Sequence, residues 1–214
     1  PQPRQPLRPP ASAVDPVGRE PQPTVAIRPG HVALPFSDYK EYSGPPWNDP
    51  RGVGTSVISE GIVRIVEVEG PVIAKRAYDI YLRGCGIRRM GHELKSTMNK
   101  ALAHALRQGR LASENEVTEK DLLFSVVRVN GSPPIKVRTR GPRSFEEIPP
   151  SELQVVARYL VERDGFSSGS DEHLRAVLEC FDLKRLTTQV GTTLLEILEK
   201  RFPYVDEFIN GIPK

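Results

Sequence analysis

At 214 residues and 38% hydrophobic content, the chain can bury one large core or two small ones once its proline-rich beginning is set aside. Its two cysteines, Cys85 and Cys180, supply neither a disulfide framework nor a four-ligand zinc site, which fits a reducing cytoplasm. No apolar run nears the roughly 20 residues that cross a bilayer, and the start lacks a signal-peptide core, so a soluble protein without membrane contact is expected.

The formal net charge of +3 is unevenly spread. Residues 62 to 111 carry ten Lys and Arg against four acids, and residues 128 to 143 add five bases and no acid. Residues 151 to 214 reverse the sign, with eight bases against eleven acids. A polyanionic partner would meet the middle of the chain rather than its end.

In chain order, residues 1–30 are rich in proline and lack apolar periodicity, which reads as an extended or disordered linker. A peptide ligand for a proline-binding domain is the alternative. The chain opens on Pro1 rather than Met, as expected of a piece of a longer polypeptide. Residues 31–54 form an arm whose Phe36, Tyr39, Tyr42 and Trp47 are expected to fasten onto the following domain. Aromatic residues in such a row would also suit a platform for stacked bases.

Ile58, Ile62, Ile65 and Val66 stand at helical spacing, so residues 56–68 read as an amphipathic helix stopped by Gly70-Pro71, with a strand as the lesser alternative. Ala77, Tyr78 and Tyr81 mark a second helix over 75–82, broken by Gly84-Cys85-Gly86. Leu94, Met98, Ala101, Leu102 and Ala105 mark a third over 91–107. A strand over 121–129, the turn signal Asn130-Gly131 and a strand over 134–140 then read as a β-hairpin. Three helices and a hairpin are the order of a winged helix-turn-helix.

Helical segments over 151–162, 170–179 and 188–201 repeat the pattern. Laying residues 68–94 on 162–190 matches Gly70 with Gly165, Arg89 with Arg185, Met90 with Leu186 and Leu94 with Val190. The expected architecture is therefore mainly α with a small β-hairpin. A winged helix-turn-helix at 55–143 is followed by a second, related winged-helix-like unit at 144–214.

In such a fold the third helix enters the major groove of DNA, and flanking cations hold phosphates. The outward face here is His92, Lys95, Ser96, Asn99 and Lys100. Asn99 suits adenine, and the lysines suit guanine or phosphate. Arg88 and Arg89 precede the helix and would clamp the backbone. Arg128, Arg138 and Arg140 would reach from the hairpin as a basic wing. The alternatives are that the helix face is only solvated, and that Arg89, matched by Arg185, caps helix carbonyls. The matching helix of the second unit offers Gln189, Thr192, Thr193 and Glu196, which suit packing or a partner surface with Tyr204, Phe208 and Ile209.

The histidines His31, His92, His104 and His173 have no metal spacing, and His173 reads as a surface or half-buried side chain. No phosphate-binding glycine loop or nucleophile elbow occurs, so neither a cofactor nor enzymatic activity is expected.

The segments Val68-Glu69-Gly70-Pro71-Val72, Gly86-Ile87-Arg88-Arg89-Met90-Gly91 and Glu147-Ile148-Pro149-Pro150 give residues 36 to 200 a further signature. The stretch resembles the uncharacterised C-terminal domain of large bacterial superfamily 1 helicase-like proteins, which often carry an endonuclease-like domain as well. The resemblance implies a DNA-associated accessory domain in repair or defence. Its partners would be double-stranded DNA and helicase or nuclease domains of the same or another chain. The family's ATPase and nuclease motifs have no counterpart here. A module that docks such a core without touching DNA is the competing expectation.

Overall fold

Where the apolar spacing is most regular, helices form and bury that face. The computed structural model describes Leu34, residues 36–116 and residues 121–212, so the expected linker of residues 1–30 lies outside the described residues. The first half runs α1 (Thr55–Glu69), β1 (Val72–Ile73), α2 (Ala74–Gly84), α3 (His92–Arg107), β2 (Leu111–Glu114) and β3 (Val126–Val129). The second half is α4 (Pro150–Asp164), α5 (Asp171–Cys180), α6 (Thr188–Glu199) and α7 (Pro203–Asn210). The described chain is thus mainly helical with one small antiparallel sheet.

Helix α1 is the centre of the first core. Its Ile58, Ile62, Ile65 and Val66 pack with Tyr78, Tyr81 and Leu82 of α2 and with Met98 and Leu102 of α3. Each such burial contributes on the order of 1.5–3 kcal/mol. Of the arm's aromatic residues, Tyr42 and Trp47 close over this core, whereas Phe36 packs on the second core with its ring centre 5.7 Å from that of Phe181. Trp47 lies between Tyr42 and Tyr81, with ring centroids 5.8 and 5.4 Å away, and Gly61 leaves the space in which Tyr81 and Trp47 stack against the helix.

In the sheet, β3 is central, between β1 and β2. Val127 pairs with Val72 and Val129 with Leu111, both antiparallel. The expected pairing of residues 121–129 with 134–140 does not form. Both edges of β3 are already occupied, and Pro133 and Pro134 cannot donate to a ladder. The Asn130-Gly131 turn is present, with Gly131 at φ +79°. Beyond it the chain leaves the sheet, and Ile135 and Val137 enter the second core. Outside the named strands, Arg138 makes a single parallel bridge with Ser37 of the arm.

Helix α5 and the turn after it resemble α2 and its turn. Ala77, Tyr78, Tyr81 and Leu82 are buried along α2, and His173, Leu174, Val177 and Leu178 are buried at the same spacing along α5. The turns that follow have one geometry. Ile87 N donates to Leu82 O and Leu183 N to Leu178 O, each at 2.9 Å, around the left-handed residues Gly86 (φ +76°) and Asp182 (φ +51°). His173 is wholly buried, which corrects the half-exposed expectation: its Nδ1 accepts from Gly169 N at 3.1 Å, leaving Nε2–H to donate to Ala157 O at 2.8 Å. Helix α7, not anticipated from periodicity, lays Tyr204, Phe208 and Ile209 on the second core.

A buried ionic cluster joins the halves. Glu69, at the end of α1, accepts from Tyr39 Oη, from Tyr42 N at 2.9 Å and from Arg76 Nε at 2.7 Å. Arg76 reaches on to Glu147 at 3.1 Å, so one guanidinium joins the end of α1 to the segment before α4. Glu152 on α4 holds both Arg138 and Arg143. The ring of Tyr39 is flanked by Arg76, Arg138 and Arg143, whose guanidinium carbons stand 5.5, 5.2 and 4.4 Å from its centre.

Candidate nucleic-acid interface

Helix α3 turns Leu94, Met98, Ala101, Leu102 and Ala105 inward, and this fixes what it turns outward. His92 and Lys100 are exposed, while Lys95, Ser96 and Asn99 are half-buried along a shallow groove of about 470 Å³ shared with Ala103 and Asp121. The left-handed turn at Gly86 brings Arg88 and Arg89 to the surface immediately before the helix. Five of the expected residues (His92, Lys95, Ser96, Asn99 and Lys100) therefore line one groove, and Arg88 and Arg89 are exposed just before it in the chain. Arg89 donates to no carbonyl among the described residues, so the capping alternative has no bond behind it.

The α3 amino terminus has Gly91 at its cap position and no side-chain cap, so its first amides face outward without a side-chain acceptor. The amino terminus of α6, by contrast, is closed by Thr187, whose hydroxyl accepts from Val190 N. Arg88, Arg89, Lys100 and Arg107 form no ion pair among the described residues.

The three arginines expected on the wing are placed differently. Arg138 is 2% exposed and donates to Glu152, to Glu69 O at 2.5 Å and to Pro71 O at 2.6 Å, so it is a buried structural cation rather than a groove contact. Its segment is drawn inward by Val137 and Ile135. Arg128 is held by Ser132 O at 2.8 Å and Glu114 at 3.2 Å. Arg140 is half-buried, donating to Arg143 O at 3.2 Å, with Asp182 3.8 Å away. The connection between β2 and β3 contains Glu116 and Asp121 and is not basic.

Asp121 was not foreseen as part of this surface. One oxygen accepts from Leu123 N at 3.0 Å, capping the short 3-10 turn Leu122–Phe124, and the other pairs with Lys95. This lysine holds the Asp121 carboxyl below its ordinary range. Asn99 Nδ2 also reaches Asp121 at 3.5 Å, and its Oδ1 accepts from the buried Tyr78 hydroxyl at 3.0 Å. An Asp directly before a short apolar run is a cap signal that could have located it.

The face of α6 has no comparable charge. Gln189, Thr192, Leu195 and Glu196 are exposed and Thr193 is half-buried. Among the described residues no three His, Cys, Asp or Glu side chains are grouped to hold a metal ion, and no helix is long and apolar enough to cross a membrane. Comparison with protein-family models, curated proteins and solved structures finds no match to this chain.

Proposed function

We propose that the chain is a duplex-DNA-binding accessory module and that α3, with the turn before it, supplies the contact. The observation that carries this is the set of exposed, unpaired cations at the start and along the outer face of α3: Arg88, Arg89 and Lys100, with Arg107 at its end. The order α1-β1-α2-α3-β2-β3 and the sheet order β1-β3-β2 support a winged-helix reading, with α3 as the groove-entering helix. Phosphates would be met by the two arginines and the open amides of His92 and its neighbours. The wing of the expected basic kind is not part of the proposal, so affinity is electrostatic and modest.

Fluorescence anisotropy of the whole chain with a mixed-sequence duplex tests it. Four phosphate contacts give a slope of log K against log salt of about −3 to −4. The triple change R88E/R89E/K100E should weaken binding at least about tenfold and flatten that slope. Binding that ignores salt, or survives the triple change, overturns the reading.

The sequence resemblance sets such a module beside a helicase or nuclease core in repair or defence. A second reading, docking of such a core without DNA, is favoured by the cation-poor face of α6, where Leu195 is 41% exposed. Failure to bind DNA at low salt, with co-elution of the joined helicase or nuclease domains, would select it.

A further inference from the structure

We infer that Asp121 is a specificity residue of this interface, a carboxylate that opposes contact by phosphates alone and sets the donors of Lys95 and Asn99 toward base edges. The inference rests on the DNA-binding reading of α3. Its basis is a directional chain of hydrogen bonds from the core into the groove. The Asp121 carboxylate only accepts, so the amide end of Asn99, Nδ2, is the end that faces it, 3.5 Å away. Oδ1 is then left to accept from the buried Tyr78 hydroxyl at 3.0 Å. Asp121 is itself pinned by Leu123 N at 3.0 Å and neutralised by Lys95.

After these bonds Lys95 retains two N–H donors, Asn99 one, and Asp121 spare acceptor sites. Because the carboxylate lies beside the lysine, a phosphate arriving there gains the cation and meets an anion at the same place. A base edge differs: an exocyclic amino group, as on cytosine or adenine, satisfies the carboxylate while ring acceptors take the lysine or amide. One lone pair of Asn99 Oδ1 is taken by Tyr78 and one Nδ2 hydrogen by Asp121, so a base edge would be met by the amide's remaining acceptor and donor. Asp121 thus adds an anion to a basic surface, lowering general affinity and raising the cost of a wrong partner.

The test compares the full chain with D121N and E172Q by anisotropy on a mixed-sequence 20-bp duplex across a salt series. Asparagine at 121 still caps Leu123 N and removes only the charge. Glu172 is an exposed acid of α5, so E172Q makes the same change in net charge far along the chain. D121N is expected to bind about fivefold or more tighter at low salt, with a slope steeper by about one as Lys95 is released to a phosphate. Selection from a random-sequence library should give a flatter base preference for D121N than for the parent chain. If the parent binds and D121N behaves as E172Q does, the inference is overturned and the DNA reading stands. If none of the three folded proteins binds at low salt, the DNA reading falls and the inference with it.

Discussion

Arg143 and Glu152 meet in a two-point ion pair, Nη1 to Oε2 at 2.9 Å and Nη2 to Oε1 at 3.0 Å, with each side chain 1% exposed. Glu152 also holds Arg138, so one carboxylate serves two buried guanidiniums. Removing its charge strands both. E152Q should lose about 3–5 kcal/mol of unfolding free energy by chemical denaturation. A loss under about 1 kcal/mol would mean that the backbone carbonyls around the arginines suffice without Glu152.

Tyr39 is the arm's link to the same cluster, donating to Glu69 and accepting from Arg76 Nε at 3.0 Å. Burial raises its hydroxyl pKa, so it stays a donor at any ordinary pH. Y39F keeps the ring among the arginines and removes the hydroxyl. A cost of about 1.5–3 kcal/mol in denaturation is expected, since the lost bond is to a charged group.

Glu116 fastens the β2–β3 connection to the second half. It accepts from Ser151 N and from Tyr204 Oη, each at 2.7 Å, and burial raises its pKa above the ordinary 4.5. A raised carboxyl binds its proton more tightly folded than unfolded. Its contribution is therefore complete below 4.5 and is lost as pH rises through the folded value. Measured from about pH 8 down to about pH 4, the stability of the parent chain should climb relative to E116Q. A constant difference across that range would show that Glu116 titrates as if exposed.

Gly86 and Asp182 occupy the same left-handed position in the two turns, and a Cβ at Gly86 would meet nothing within 4 Å. The cost of G86A is then backbone conformation alone, about 1–2 kcal/mol. D182G relieves that strain while freeing the unfolded chain, so it should change stability by no more than about 1 kcal/mol. Paired thermal melts check both, and a neutral G86A would contradict the matching of the turns.

Among the arginines, burial separates those that would touch DNA from those that would not. R89Q should weaken duplex binding several-fold. R140Q, whose parent side chain is directed to Arg143 O and Asp182, should leave it within about twofold. Equal losses from the two would move the interface toward the second half.

Much of the architecture was legible because helices are local. The spacing of Ile58, Ile62 and Ile65, of Tyr78 and Tyr81, and of Leu94, Met98 and Leu102 is a one-dimensional record of which face each helix buries. The expected match of Gly70 with Gly165 pairs an extended residue (φ −72°) with a left-handed one (φ +73°), whereas the turns after α2 and α5 share one geometry around Gly86 and Asp182. The same periodicity predicted the outward face of α3, because whatever is not buried on an amphipathic helix faces out.

The basic stretch of residues 128–143 was misread for a reason equally physical. Alternation of Val137 with Arg138 says that one face is covered, not what covers it. Sheet pairing is a long-range contest for the two edges of β3, and β1, only two residues long, wins one of them. With those edges occupied, Arg138 and Arg143 fell within reach of Glu152, and Asp121 within reach of Lys95. Charge and periodicity settled where cations stand along the chain and which helix face is wet. Which cations remain unpaired depends on carboxylates distant in sequence, so only the tertiary structure decided it.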